Sequence, residues 1–158
     1  MTTIAWDGKS ISADTQSTSG STVLPCPTKL IVIQEHLEIE GKKIFLVATA
    51  GTSGDERHSL KYIRDGGLES GEEMHKQVSS ILLMITTDGC GYVFQKDRDN
   101  LLPWVWEQPA PYAAGSGRDF ALAAMHCGKN SHEAVQIASL LDIYTGGKID
   151  TIVLQVKS

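Results

Sequence analysis

The sequence predicts an α+β fold in which helices lie on mostly antiparallel sheets, and three observations carry that reading. Short apolar runs separated by turn signals fill the first fifty residues and recur from 80 to 114. Two amphipathic helical patterns follow one another from residue 116, and a further apolar run closes the chain. Strands, then two consecutive helices, then a strand is not the regular alternation of a parallel α/β fold.

Taken in order, Thr2 to Trp6 and Lys9 to Asp14 flank Asp7-Gly8, a favoured two-residue type I′ turn. With that loop, Trp6 faces Lys9, Ile4 faces Ile11 and Thr2 faces Ala13, which brings the Asp14 carboxylate to the start of the chain. The Ser/Thr/Gly/Pro-rich stretch from Thr15 to Thr28 reads as a loop inside the domain. Leu30 to Ile33 and Ile44 to Ala50 are buried-strand candidates, joined through Glu40-Gly41. After Gly51, Ser53 or Asp55 can cap a helix carrying Leu60, Tyr62 and Ile63, stopped by Gly66-Gly67; Glu72 to Val78 reads as a helical stub. Ser80 to Thr86 and Gly91 to Gln95 bracket Asp88-Gly89-Cys90 as a hairpin, and Trp104 to Trp106 and Tyr112 to Ala114 extend the sheet region. From Ser116, the residues Phe120, Ala123, Ala124 and Cys127 fall on one helical stripe. Ser131 can cap the next helix, with Ala134, Ile137, Ala138 and Leu141 on one face and Gly146-Gly147 after it. Ile149 to Val156 is the closing strand.

The length of 158 residues predicts a single domain spanning 1–158, large enough to bury roughly 70% of its chain surface. Fourteen Lys+Arg against nineteen Asp+Glu leave a charge of −5, which argues against nucleic acid and anionic membrane as partners. Three cysteines without CxxC spacing indicate neither a disulfide framework nor a zinc site, and the five histidines lack ligand spacing. No apolar run reaches the ~20 residues of a membrane helix, and the N-terminus lacks the pattern of a secretion signal. A cytoplasmic protein is expected.

Met1-Thr2 carries the first chemical signal. Removal of the initiator Met would expose a threonine holding both a hydroxyl and an α-amine, and an α-amine of pKa ~7.7 to 8.0 can take a proton near neutral pH. Nucleophile and base would then reside in one residue.

Five segments, in order along the chain, resemble the N-terminal nucleophile hydrolases of the proteasome type, the proteasome β-subunits and HslV-type peptidases. TTIAWDGKSISADTQST resembles the family opening, CPTKL the segment of the active-site lysine, and ATAGTSGDE the segment whose glycine supplies an oxyanion-hole amide. AAGSGRDFALAA resembles the Gly-Ser-Gly helix start, and LLDIYTGGKID the Asp-x-x-Ser-Gly segment, with Thr145 in place of the usual Ser. The resemblance implies a four-layer αββα sandwich, two antiparallel sheets between helix layers. It implies Thr2 as nucleophile, Asp14 and Lys29 as its charged partners, Gly51 as oxyanion donor, and Ser116, Asp142 and Thr145 around the α-amine. Lys29 as a cation would favour ionisation of the Thr2 hydroxyl; one oxyanion donor is worth ~2.7 to 4 kcal/mol in the transition state.

The same resemblance places Thr18, Gly51 and Ser53 on the backbone of a peptide bound by strand addition. It puts Thr49 at the base of the first specificity pocket, with Pro27 and Ile31 on its walls. It implies peptide-bond hydrolysis of peptides or unfolded proteins, no metal or organic cofactor, a homo-oligomeric ring or incomplete ring, and an ATPase as possible partner. Residues 56–79, broken by Gly66, Gly67 and Gly71, hold one helix and a stub where the family has two long helices, so one helical layer is truncated. Two other readings share the fold: a noncatalytic assembly or interaction protein, and an amidohydrolase acting on small amides.

Overall fold

The computed structural model describes residues 2–155. Met1, whose removal the peptidase reading requires, and Val156, the expected end of the closing strand, lie outside the described residues. The chain sorts into two compact units, one formed by 1–30 and 109–158, the other by 31–108.

In the first unit, β1 (Thr3–Trp6) and β2 (Ser10–Asp14) form the opening hairpin, followed by β3 (Gln16–Ser19) and β4 (Thr22–Pro25). The second unit carries β5 (Leu30–Val32) from Ile31 on, β6 (Glu38–Ile39), β7 (Lys42–Gly51), α1 (Asp55–Arg64), α2 (Gly67–Ser70), β8 (Ser80–Thr86), β9 (Gly91–Lys96) and β10 (Trp104–Glu107). The chain then returns to the first unit with β11 (Tyr112–Gly115), α3 (Arg118–His126), α4 (Ser131–Leu141) and β12 (Ile149–Val153).

The first unit holds a four-stranded sheet in the order β11-β1-β2-β12, every pair antiparallel. Its core is built largely from small residues: Ala5 and Ala113 of the sheet meet Ala121, Ala124, Met125, Ala134, Val135 and Ala138 of α3 and α4. Alanines let the helix backbones approach the strands closely. The second unit holds a six-stranded sheet, β10-β9-β8-β7-β5 with β6 on β7. Its core is bulkier, with Leu60 and Ile63 of α1 packing among Ile44, Val47, Leu82, Met84, Tyr92 and Phe94. The fold class is thus α+β, with antiparallel sheets and, among the described residues, four helices.

Several expectations are corrected in detail. The first turn is one residue further on: Asp7 N–H bonds to the Ser10 carbonyl at 3.1 Å, so Gly8-Lys9 is the loop, with Gly8 at φ +96°. Positive φ at the first central residue alone is the type II′ pattern. The Asp7 carboxylate fixes this choice by accepting the N–H groups of Lys9 and Ser10. Trp6 therefore faces Ile11 and Ile4 faces Ala13, displacing the expected register. Thr15 to Thr28 is not loop throughout, because β3 and β4 pair as a hairpin about Gly20-Ser21; its β-branched residues outweigh its loop-like composition.

The α1 N-cap is Gly54, not Ser53 or Asp55, and the Asp55 carboxylate instead accepts the Ser79 N–H at 2.8 Å. No helix forms over 72–78, where Met74 N–H is bound by the Leu101 carbonyl. The short α2 precedes that stretch. Trp104 to Trp106 and Tyr112 to Ala114 are strands as expected, β10 joining β9 and β11 joining β1. In α3 the buried residues are Ala121, Ala124 and Met125, while Phe120, Ala123 and Cys127 are exposed, so the face turned to the core is rotated from the expected stripe. Asn130, not Ser131, caps α4 in a capping box with Glu133. The Ser131 hydroxyl is taken by Ser10 and Ser12 of β2. Leu141 of the expected stripe is exposed, and Val135 is buried in its place.

Leu82, fully buried at the centre of β8, gives a direct test of the second core. Leu82→Ala is expected to cost about 2 to 5 kcal/mol in urea denaturation.

Candidate active site

Asp14 ends β2 with no solvent exposure, and four groups of the first unit converge on it. Its Oδ1 accepts the Thr2 hydroxyl at 2.5 Å, the Lys29 Nζ at 2.7 Å and the Thr3 N–H at 3.0 Å; its Oδ2 accepts the Gly146 N–H at 3.0 Å. Lys29 Nζ also donates to the Gln16 carbonyl at 2.7 Å. A carboxylate is stable in such burial only when paired and hydrogen-bonded, and here both conditions hold. The expected contact differs in one respect: the Thr2 hydroxyl donates directly to Asp14, so the carboxylate joins hydroxyl and ammonium.

Beside it runs a second cluster. Asp142, the C-cap residue of α4, accepts the Ser116 hydroxyl and the Thr145 hydroxyl, each at 2.6 Å on Oδ2, and the Tyr144 N–H at 3.2 Å on Oδ1. Ser116 in turn binds the Thr2 carbonyl through its N–H at 2.8 Å and its hydroxyl at 3.4 Å. The Thr145 hydroxyl lies 2.6 Å from that of Thr3, which links the two clusters. Burial alone would raise the Asp142 carboxyl, but the Ser116 and Thr145 hydroxyls and the Tyr144 N–H outweigh it and hold the carboxyl below the usual aspartate value. Six of the seven residues expected to act in catalysis, Thr2, Asp14, Lys29, Ser116, Asp142 and Thr145, thus meet in one unit.

Gly51 belongs to the second unit, at the end of β7. Thr52 N–H donates to the Ser79 carbonyl at 3.1 Å, so Gly51 and Ser80 form the neighbouring non-hydrogen-bonded pair. In an antiparallel ladder such a residue turns its N–H away from the paired strand, here away from β8. Gly51 sits at φ +109°, and a Cβ would come within 2.8 Å of the Ser79 carbonyl oxygen. Only glycine suits this position.

Of the expected substrate-binding residues, Thr18 lies half-buried on β3 and Pro27 exposed in the first unit. Ile31 on β5 and Thr49 on β7 are half-buried, and Ser53 is exposed, in the second. Cys26 is partly buried, and burial pushes its thiol up, the Asp14 charge acting the same way and Lys29 the opposite way.

Sequence reasoning missed four participants: Thr3, Gln16, Gly146 and Gly115. Thr3 supplies both an N–H and a hydroxyl, and Gln16 anchors Lys29 through its carbonyl and Ile143 through its amide. Gly146 looks in the sequence like a helix stop, yet its N–H binds Asp14. At Gly115 a Cβ would lie 1.8 Å from the Thr2 carbonyl oxygen, which leaves that oxygen accessible to Ser116 only while 115 is glycine.

The Asp142 cluster makes a pH prediction. Its lowered carboxyl contributes stability that is complete above the ordinary aspartate range and is lost as pH falls through the lowered value. A 13C-carboxyl titration of Ser116→Ala is expected to move Asp142 back up toward the ordinary value and to remove part of the stability difference between pH 5 and the acid side.

No family model matches the sequence, and no curated protein matches it. Solved structures do. The chain aligns over 99% of its length with 99% of the Thiobacillus denitrificans BPH chain in complex with epoxomicin, at 16% identity and a TM-score of 0.65. It aligns over 98% of its length with 82% of a Gly-1 mutant of Anbu from Hyphomicrobium sp. strain MC1, at 12% identity and a TM-score of 0.64. Pseudomonas aeruginosa Anbu, solved as a helical assembly, aligns at 9% identity and a TM-score of 0.59 over 97% of this chain and 80% of that one. Anbu is described as an ancestral β-subunit. This likeness does not single out the HslV type; it establishes that the chain has the proteasome-like N-terminal nucleophile hydrolase fold.

Proposed function

We propose that the protein is a threonine-type peptidase that acts through Thr2 once Met1 is removed. The observation that carries the reading is the convergence of Thr2, Lys29, Thr3 and Gly146 on the fully buried Asp14 carboxylate. Burying a carboxylate and an ammonium together costs desolvation that a structural hairpin has no need to incur.

In this reading the Thr2 Oγ attacks the scissile carbonyl carbon while its proton passes to the freed α-amine, directly or through a water. The carbonyl C–O π electrons move to oxygen, and the Gly51 N–H, which leaves β8 unpaired at that position, serves the developing oxyanion. Collapse expels the amine product with the transferred proton and leaves an ester on Thr2. Water hydrolyses that ester by the same base and restores the hydroxyl. Ser116, Asp142 and Thr145 hold the Thr2 carbonyl and the adjoining peptide in place, and Lys29 favours the ionised hydroxyl. Thr18, Pro27, Ile31, Thr49 and Ser53 keep the substrate-binding roles that the sequence resemblance gives them.

A homo-oligomer accompanies this reading. Leu140, Leu141 and Ile143 are 83%, 59% and 79% exposed, an apolar cost for an isolated chain, and the Anbu of P. aeruginosa forms a helical assembly.

One observation favours the noncatalytic alternative: Thr2 is only 3% exposed, and its hydroxyl is engaged by Asp14. Intact-mass measurement on protein from native cells separates the two. Loss of Met1, followed by a one-to-one adduct with epoxomicin that disappears in Thr2→Ala, is the expected result; quantitative retention of Met1 would sink the peptidase. On fluorogenic peptides, Thr2→Ala is expected to lose several orders of magnitude in kcat. Lys29→Met is expected to lose roughly 10² to 10³, the usual weight of one preorganised electrostatic partner.

A further inference from the structure

Lys96, the last residue of β9, is fully buried, yet sequence and site give it no role so far. Its Nζ donates to two backbone carbonyls, Val78 at 3.0 Å and Asp97 at 2.8 Å. Among the described residues no carboxylate lies within ion-pair distance of it. Burial holds the ammonium below the usual lysine value; Asp97, Asp99 and Asp55 are the charges that oppose this. Solvent lost by an ammonium is poorly replaced by two carbonyls, and a methionine of similar length would avoid the loss. Stability alone therefore gives no reason for a lysine here.

The carbonyl it grips does suggest one. Val78 leads directly into Ser79, whose N–H is held by Asp55 at 2.8 Å and whose carbonyl accepts the Thr52 N–H at 3.1 Å. Ser80 follows, opposite Gly51 on one side and opposite Lys96 on the other. Gly51, Ser80 and Lys96 thus form one cross-strand row, and the Ser80 hydroxyl is tied to Ser59 of α1 at 2.5 Å. Gly51 leaves no room for a side chain against that entry: a Cβ there would meet Ser79 O at 2.8 Å and Ser80 Cα at 3.0 Å. Residues 78–80 thus form the wall and the hydrogen-bonding partner beside Gly51.

We infer that Lys96 is a positioning residue for the Gly51 N–H, its ammonium pinning the Val78-Ser79 entry of β8 against which Gly51 is seated. The catalytic consequence rests on the reading of Gly51 as oxyanion donor proposed above. The structural coupling between Lys96 and Gly51 stands apart from it.

The test uses the full chain with Met1 removed and compares Lys96→Met with Leu82→Ala, a core variant of β8, the strand whose entry Lys96 grips. Hydrogen exchange at the Thr52 N–H, together with kcat and KM on a fluorogenic peptide, is measured for each. Lys96→Met is expected to speed Thr52 exchange about tenfold and to lower kcat roughly 10- to 100-fold with KM within about twofold, since small misplacements of a catalytic group cost that much. Leu82→Ala is expected to lower the denaturation midpoint without that local pattern. Lys96→Leu, which also removes the donor, replaces the Met variant if the latter does not fold. Unchanged Thr52 exchange in the Lys96 variants, or the same exchange and kcat pattern in Leu82→Ala, would overturn the inference. If exchange changes but wild type and Thr2→Ala hydrolyse peptide equally poorly, the peptidase reading fails while the coupling of Lys96 to Gly51 is upheld.

Discussion

A carboxylate with no solvent exposure sets the terms for the first unit. Asp14 has to be fully satisfied or neutralised, because an unpaired charge in that position would cost several kcal/mol. Its four donors come from separate stretches of chain: the N-terminal residues, the segment after β4, and the loop after α4. Each donor can be delivered only if the local structure around it is right. The β1–β2 hairpin must place Thr3 against Asp14, β3 and β4 must return Lys29, and α4 must end at Asp142 so that Gly146 turns its N–H inward. Gly146 is also held at Thr15, whose N–H it accepts at 3.2 Å. One buried charge thus coordinates four local choices that propensity leaves open.

In the second unit the direction of one backbone N–H, that of Gly51, follows from the sheet itself. The device is ladder parity: a hydrogen bond at Thr52–Ser79 forces the next pair, Gly51–Ser80, to turn its peptide groups outward. Parity costs no side chain, but it is intolerant. A slip of one residue would exchange the roles of Gly51 and its neighbours and turn the wrong N–H away from β8. Asp55 on Ser79, Ser59 on Ser80 and Lys96 on Val78 all act against such a slip from the β8 side. Polar groups buried around one strand entry are what register fidelity requires there.

Much of this was legible in the sequence because it rests on short-range rules. Apolar runs and turn dipeptides gave strand positions, and four of the five motif segments gave six residues that the fold brings together. What escaped was decided by side chains reaching across the chain. Asp7 moved the first turn by binding Lys9 and Ser10, and no turn propensity contains that preference. Ser131 looked like a cap, but its hydroxyl was claimed by β2, leaving Asn130 to cap α4. The α3 stripe failed because apolar spacing cannot tell which of two adjacent faces turns to the core; that of Ala121 does, and that of Phe120 does not. Lys96 was invisible for the plainest reason, that a lysine in a strand is ordinarily solvated.

The charges of the site also bear on its unprocessed start. Asp14 and Lys29 cancel at 2.7 Å, whereas Asp142, held ionised by its hydroxyl and N–H partners, has no cation paired with it among the described residues. The cluster therefore carries one uncompensated negative charge, joined through Ser116 to the carbonyl of Thr2. While Met1 is attached, the Thr2 nitrogen is a neutral amide and leaves that charge as it is. Removal of Met1 would create an ammonium on the same residue, of the sign the cluster lacks. Asp142 would then favour the protonated amine and Lys29 would oppose it, and a base must be unprotonated part of the time to act. A site with Asp142 alone would bind the amine as a spectator ion; one with Lys29 alone would have little reason to keep the amine in place. In the peptidase reading proposed above, Asp142 would hold the amine of a processed Thr2 while Lys29 would weaken that amine's hold on its proton.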